Sequence, residues 1–461
     1  MPPKIQRTNW LKRVRRDAGP VYLAILQALD EAIAEGELEP GEQLPAQRAV
    51  AAELGLDLTT VTRAYAAARA RGLIAGTVGR GTFVAGRTVE DEVGLVDLSM
   101  NLPPPPKGLS LGRLLKETAQ DVLERTDAQT LMAYHPPGGS LAQRTAGAAW
   151  LAPCLGEVSS DRLLVAPGAQ AALTAILGLV TTPGDSVIVE PLTYPGMRAA
   201  AAYLRLRLIP CPVDDDGMSP DELGRLCAEH GPKAIYLIPT LQNPTTVTMS
   251  PRTREAVAVV AQEAGVPIIE DDAYGRLPPR PTPALAAVAP HMVWHIATTA
   301  KTLSPGLRLA FVAAPDARAA RALTDVLRAT ALMASPLNAA ILTAWIREGV
   351  AERILEGVRA ESAERQALAR AILPQARGGP GGAHMWLDLP DRWPGERLRE
   401  AAQARGLSLV TADAFAVQAN APNGLRISLG GPTKQAVLTE ALRNVAAILS
   451  GAPDGAGRLV V

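Results

Sequence analysis

The chain has 461 residues, 48% of them apolar and 20% charged, and its 46 Lys+Arg balance 46 Asp+Glu to a formal net charge of zero. This is a globular composition too long for one small core, so two or three domains are expected, and a bulk electrostatic affinity for nucleic acid is excluded. No apolar run reaches the roughly 20 residues that span a bilayer, and the basic start "MPPKIQRTNWLKRVRRD" lacks the apolar stretch of a secretory leader; the scattered Cys154, Cys211 and Cys227 read as free thiols of a cytoplasmic protein, without metal-ligand spacing.

Behind a basic arm, residues 1–15, a first domain is read over residues 16–88. In "VYLAILQALDEAIAEG" the positions Tyr22, Ile25, Leu26, Leu29 and Ile33 fall at helical spacing, and Gly36 stops the run. "QRAVAAELG" is a second, short helical segment ended by Gly55. "LDLTTVTRAYAAARARG" is a third, with Asp57 as N-cap, Val61, Ala64, Tyr65 and Ala68 on one face, and Gly72 as stop. "GLIAGTV" and "GTFVAG", joined through "GRG", form a hairpin. Two helices at a tight turn followed by a hairpin make a winged helix-turn-helix. Charge supports one basic face: Leu58 to Thr88 holds five arginines and no carboxylate, whereas Asp30 to Glu42 holds six carboxylates and no basic residue.

The stretches "GELEPGEQLPAQR", "AAELGLDLTTVTRAY" and "RGLIAGTVGRGTFV", in this order, resemble the GntR-type DNA-binding domain. The resemblance implies that the helix from about Leu58 to Arg71 enters the major groove of double-stranded operator DNA, with Thr59, Thr60 and Arg63 reaching bases or phosphates. It also implies that Arg48 touches the backbone and that Arg80, at the wing tip, reaches phosphate or the minor groove. Leu58 stands where the family commonly has an arginine, so base readout is expected to differ there.

A short acidic linker, residues 89–95, leads to the second part, residues 96–450, followed by a tail, 451–461. Here apolar strand-like runs alternate with longer helical ones: "RLLVAP" then "AQAALTAILGLV", "DSVIVE" then "PGMRAAAAYL", "KAIYLIP" then "TREAVAVVAQEAG" and "VPIIEDD". The alternation predicts an α/β fold with a mainly parallel sheet covered by helices, whose ligands sit beyond the carboxyl ends of the strands. At those ends stand Asn243 in "QNPT", Asp271 and Tyr274 in "DDAY", Lys301 after "VWHIATT", the helix-opening turn "GAQ" (Gly168 to Gln170), and Tyr194 in "PLTYPG". The chemistry that uses these groups together is that of pyridoxal phosphate. A lysine amine condenses with its aldehyde, a carboxylate pairs with its ring nitrogen, and a helix N-terminus holds its phosphate. Arginine could not replace the lysine, because its guanidinium stays protonated.

In this order the motifs of residues 96–450 resemble a fold-type I aminotransferase, which implies a large sheet domain and a smaller α+β domain. The resemblance implies Lys301 as the Schiff-base lysine, Asp271 on the pyridinium, Asn243 and Tyr274 on the phenolate oxygen, and Tyr194 as the stacking ring. It places Gly168, Ala169, Gln170, Thr298 and Arg308 around the phosphate. "AYHPPGGSLAQR" is similar to the segment that lends a tyrosine, here Tyr134, to the partner subunit's phosphate. "NGLRISLGG" puts Arg426 where the family binds an α-carboxylate. Thr246 and Ala300 depart from the residues usual at their positions, and neither departure removes a reacting group.

Fused in this order, the halves resemble the MocR subgroup of GntR-type bacterial regulators. That implies a homodimer, with no membrane association, and a cofactor site that senses an amino compound or the cofactor itself. Two other readings stay open: a working aminotransferase that carries a DNA-binding domain, and a regulator that senses cofactor supply alone.

Overall fold

Apolar spacing decides the first unit. Ile25, Leu26 and Leu29 from the helix Val21–Ala34 and Val61, Ala64, Tyr65 and Ala68 from the helix Leu58–Ala70 are all buried in one core. In this computed structural model, which describes residues 8–15, 19–34, 37–38, 41–77, 81–85, 95–419 and 422–451, the helix Gln47–Leu54 lies between them in sequence. Asp57 caps the third helix, accepting from the Thr59 N–H at 2.8 Å. The strands Ile74–Thr77 and Gly81–Val84 pair antiparallel, with Ile74 opposite Val84, and both of those side chains enter the same core. Residues 9–13, which the sequence placed in the basic arm, form a 3-10 turn whose Trp10 and Leu11 are buried there too. Arg80, residues 1–7, linker residues 89–94 and the tail beyond Gly451 lie outside the described residues.

The chain divides into two units, residues 1–95 with 110–117 and residues 96–109 with 118–461. The second is built on a seven-stranded sheet. Its strands are, in spatial order, Leu163–Ala166, Ala310–Ala313, Val293–Thr298, Ile268–Asp271, Ala234–Leu237, Ser186–Val189 and Arg207–Pro210. All pairings are parallel except those of Ala310–Ala313, which runs against both neighbours. The inner strands are buried along their whole length, as expected of a parallel sheet covered on both faces, and so they read as near-continuous apolar runs. The crossover helices start at local caps: Ser219 accepts from Glu222 N–H, and Ser250 from Thr253 N–H.

A smaller antiparallel sheet follows, with the strands His384–Asp388, Gly424–Ser428 and Val410–Thr411. Side chains alternate across it. Met385, Leu387, Leu425 and Ile427 join the core beneath the helices Gly395–Gln403 and Gln435–Ser450, each full burial contributing about 1.5–3 kcal/mol. The intervening positions His384, Trp386, Arg426 and Ser428 therefore share the opposite face, with His384 paired to Ser428 and Trp386 to Arg426.

Candidate functional site

Lys301 follows the strand Val293–Thr298, in a loop that Thr299 closes by donating its N–H to Leu309 O at 3.1 Å. Its Nζ donates to the backbone oxygen of Asn101 at 2.5 Å. Burial pushes this amine down to about 8, the charge of Arg426 pushes the same way, and Asp271 opposes them. Asp271 ends the neighbouring strand Ile268–Asp271. Its Oδ2 accepts from Tyr236 Oη at 2.8 Å, while its Oδ1 is buried without a protein partner. Burial raises this carboxyl to about 6, with Asp272 adding to the rise and the Tyr236 hydrogen bond opposing it. A buried acceptor left open in this way suits a cationic N–H donor, and a protonated pyridine nitrogen is one.

The same alternation that points Asp271 to one face points Glu270 and its strand neighbour His295 to the other. There His295 Nδ1 lies 2.9 Å from Glu270 and Nε2 lies 3.7 Å from Asp272, all fully or nearly fully buried. Burial opposes both charges of the Glu270–His295 pair. Their mutual attraction outweighs it, lowering the carboxyl and raising the imidazole.

Arg426 reaches the large sheet from the smaller one. It donates to Asn243 Oδ1 at 2.8 Å and to Ser99 O, with its guanidinium 5.0 Å from the centre of the Phe415 ring. Tyr274, only 2% exposed, accepts from Asn101 Nδ2 at 3.0 Å. Tyr194 precedes the helix Pro195–Leu204 and is close enough to Asp271, Arg308 and Arg426 to feel their charges; burial is the main cause of its raised pKa. A Cβ on Gly196 would lie 2.2 Å from both Tyr194 Cε1 and Gln170 Oε1, so only glycine lets the Tyr194 ring and Gln170 approach this turn.

Gly168 holds φ at +95° and opens the helix Ala169–Val180 with no side-chain cap, which leaves first-turn N–H groups, Ala169 and Gln170 among them, without a capping partner. The Arg308 guanidinium lies 3.7 Å from where a Gly168 Cβ would be. An uncapped helix end beside an exposed guanidinium fits a phosphate. The Thr298 hydroxyl accepts from Ala300 N–H at 3.1 Å and lies 3.4 Å from Leu309 O, tying the lysine loop.

Lys301, Asp271, Asn243, Tyr274, Tyr194, Thr298, Arg308, Gly168 to Gln170 and Arg426 thus gather at one end of the sheet. Tyr134 does not join them; it stands 83% exposed between the helices Ala128–Met132 and Leu141–Leu155. Asn101, Tyr236 and His384 are members that the sequence reading missed. Asn101 lies in the stretch "VDLSMNLPPPP", which carries no sequence signal of a site.

In the first unit, Arg48 and Arg63 are exposed, as is Thr59, while Thr60 is half-buried. Arg63 stacks 4.2 Å over the Tyr22 ring. The Thr59 hydroxyl donates to the Asp57 carboxylate, so Asp57 holds both the N–H and the hydroxyl of Thr59. No helix among the described residues is long and apolar enough to cross a membrane.

A winged helix-turn-helix joined to a sheet of this kind defines a class: transcription regulators with an aminotransferase-like second half. The chain belongs to the aminotransferase class I and II family, which it matches over residues 93–445, and residues 21–84 match the gntR family of bacterial regulatory proteins. It is 31% identical to the uncharacterized HTH-type transcriptional regulator YdeF of Bacillus subtilis, over 92% of this chain and 93% of that one. It is 28% identical to the probable rhizopine catabolism regulatory protein MocR of Rhizobium meliloti, over 76% and 77% of the two chains. Among solved structures it resembles the α-aminoadipate aminotransferase LysN of Thermus thermophilus, in complex with N-(5'-phosphopyridoxyl)-L-leucine. That match has a TM-score of 0.71 at 25% identity and covers 79% of this chain and 94% of that one.

Proposed function

We propose that this protein is a bacterial transcription regulator that binds operator DNA through its winged helix and senses an amino compound at a pyridoxal phosphate site. The observation that carries the reading is the pairing, at one sheet end, of a depressed-pKa lysine with a buried carboxylate oxygen that lacks a partner, in a chain that opens with a gntR-type domain. Bound there, the cofactor supplies an aldehyde that captures amines and a ring that withdraws electrons. Lys301 Nζ would hold it covalently, Asp271 Oδ1 would accept from its ring N–H, Tyr194 would stack on it, and Asn243 and Tyr274 would hold its phenolate oxygen. Gly168, Ala169, Gln170, Thr298 and Arg308 would hold its phosphate, and Arg426 would receive the carboxylate of an amino-acid effector.

The exposure of Tyr134 suits a residue given to a second subunit, so the active species is a homodimer in the cytoplasm whose two winged helices read paired half-sites. Arg48, Thr59, Thr60 and Arg63 contact the DNA, and Arg80, outside the described residues, keeps the phosphate or minor-groove role that the resemblance gives it. Regulation requires that the effector bind one arrangement of the domains more tightly than another.

The test is an amino-acid screen on cofactor-loaded protein, read by absorbance and by affinity for the upstream DNA. A visible band that Lys301→Ala abolishes, and an effector that changes both the band and the DNA affinity, are expected. A colourless loaded protein would overturn the cofactor assignment. A second reading, catalytic transamination, draws on the 28% identity to the 2-aminoadipate transaminase of Thermus thermophilus over 78% of this chain and 91% of that one; multiple-turnover release of keto acid from the amino acid, with a second keto acid supplied to accept the amino group, would establish it.

A further inference from the structure

His384 is fully buried on the site-facing side of the small sheet, and it belongs to a chain of hydrogen bonds whose direction can be worked out. Its Nε2 lies 3.2 Å from Gln242 O. A backbone oxygen only accepts, so Nε2 carries the ring proton. A neutral imidazole has one N–H, which leaves Nδ1 as an acceptor. Asn101 Nδ2 lies 3.1 Å from that Nδ1 and 3.0 Å from Tyr274 Oη. An amide nitrogen has two hydrogens, one for each. Tyr274 Oη therefore accepts from Asn101, and its own proton is directed elsewhere.

The reverse amide orientation fails on the same geometry. It would set Asn101 Oδ1 against the lone pair of His384 Nδ1, and only an imidazolium could relieve that. Burial, and then the charge of Arg426, push this imidazole down to about 3, with Lys301 acting in the same sense. The ring thus stays neutral, and it lies 5.5 Å from the Tyr274 ring, tilted by 45°.

We infer that His384 is a positioning residue which, through Asn101, obliges Tyr274 to act as a hydrogen-bond donor toward the ligand of the site. The inference rests on the cofactor reading for the identity of the acceptor, which is then the phenolate oxygen. A donor there stabilises the phenolate's negative charge and so lowers the pKa of the bound chromophore. Without His384, the Asn101 amide is free to turn and take the Tyr274 proton on its own oxygen.

The experiment is a spectrophotometric titration of the cofactor-loaded protein. Tyr274→Phe should raise the chromophore's pKa by roughly one pH unit, the size of one hydrogen bond. His384→Phe should move it in the same direction. The double variant should add nothing beyond Tyr274→Phe, since both act through one donor. Restoring an acceptor with His384→Asn should recover part of the shift. A folded, loaded His384→Phe protein with an unshifted pKa, or an additive double variant, overturns the inference.

A measurement on the unaltered protein covers the case in which the variants do not fold. Nitrogen-15 NMR of labelled histidine should show one buried ring as the neutral Nε2–H tautomer from acid to alkaline pH. An Nδ1–H tautomer or an imidazolium there sinks the inference. Failure of Tyr274→Phe alone to shift the chromophore counts instead against the cofactor reading, and leaves the tautomer result to decide the role of His384.

Discussion

A lysine amine in water is almost wholly protonated at neutral pH, and a protonated amine does not attack an aldehyde. At Lys301 burial and the Arg426 guanidinium bring the pKa from 10.5 to about 8. That raises the neutral fraction at pH 7 about 300-fold over an ordinary lysine. The rate of cofactor uptake should therefore rise with pH and level off above about 8, rather than climb towards 10.5. Arg426→Ala removes a repelling charge, so the amine's pKa rises and the plateau moves to more alkaline pH. Stopped-flow absorbance after mixing with the aldehyde measures both. A plateau unmoved by Arg426→Ala would show that the guanidinium does not act on the amine.

At the scale of the element, the helix Leu58–Ala70 begins on a cap that uses a single carboxylate for both the N–H and the hydroxyl of Thr59. Those two hydrogen bonds hold the Asp57 carboxyl below its ordinary value. Asp57→Ala should lower the melting temperature of the first unit, and Asp57→Asn, which keeps an acceptor, should lower it less; circular dichroism of the full chain follows both. This cap was legible in the sequence because the signal is local, an aspartate before an apolar-periodic run. Lys301, Asp271 and Asn243 were legible for a related reason: each follows a β-leaning run, and a parallel sheet lines up the ends of such runs. Asn101 was not, because its partners Tyr274 and His384 are 173 and 283 residues away. Tyr236 was hidden inside a buried strand, where a tyrosine reads as core. The 3-10 turn of residues 9–13 was masked by the lysine and arginines around Trp10 and Leu11.

For the molecule as a whole, a net charge of zero leaves DNA affinity to local cations. The logarithm of operator affinity should fall linearly with the logarithm of salt concentration, by about 0.9 for each phosphate neutralised. Arg63→Ala should weaken binding and flatten that slope by about 1, while leaving the second unit's absorbance unchanged. Anisotropy titrations over a salt series read both, and an unaltered slope would remove Arg63 from the phosphate contacts. The one reversed strand, Ala310–Ala313, has a consequence of its own. Because it runs against Val293–Thr298, a single hairpin-like loop carries both Lys301 and Arg308, and it is pinned where Thr298 faces Ala310. One inserted residue there would misplace Lys301 and Arg308 together, so 299–309 is the last place to splice in a reporter tag.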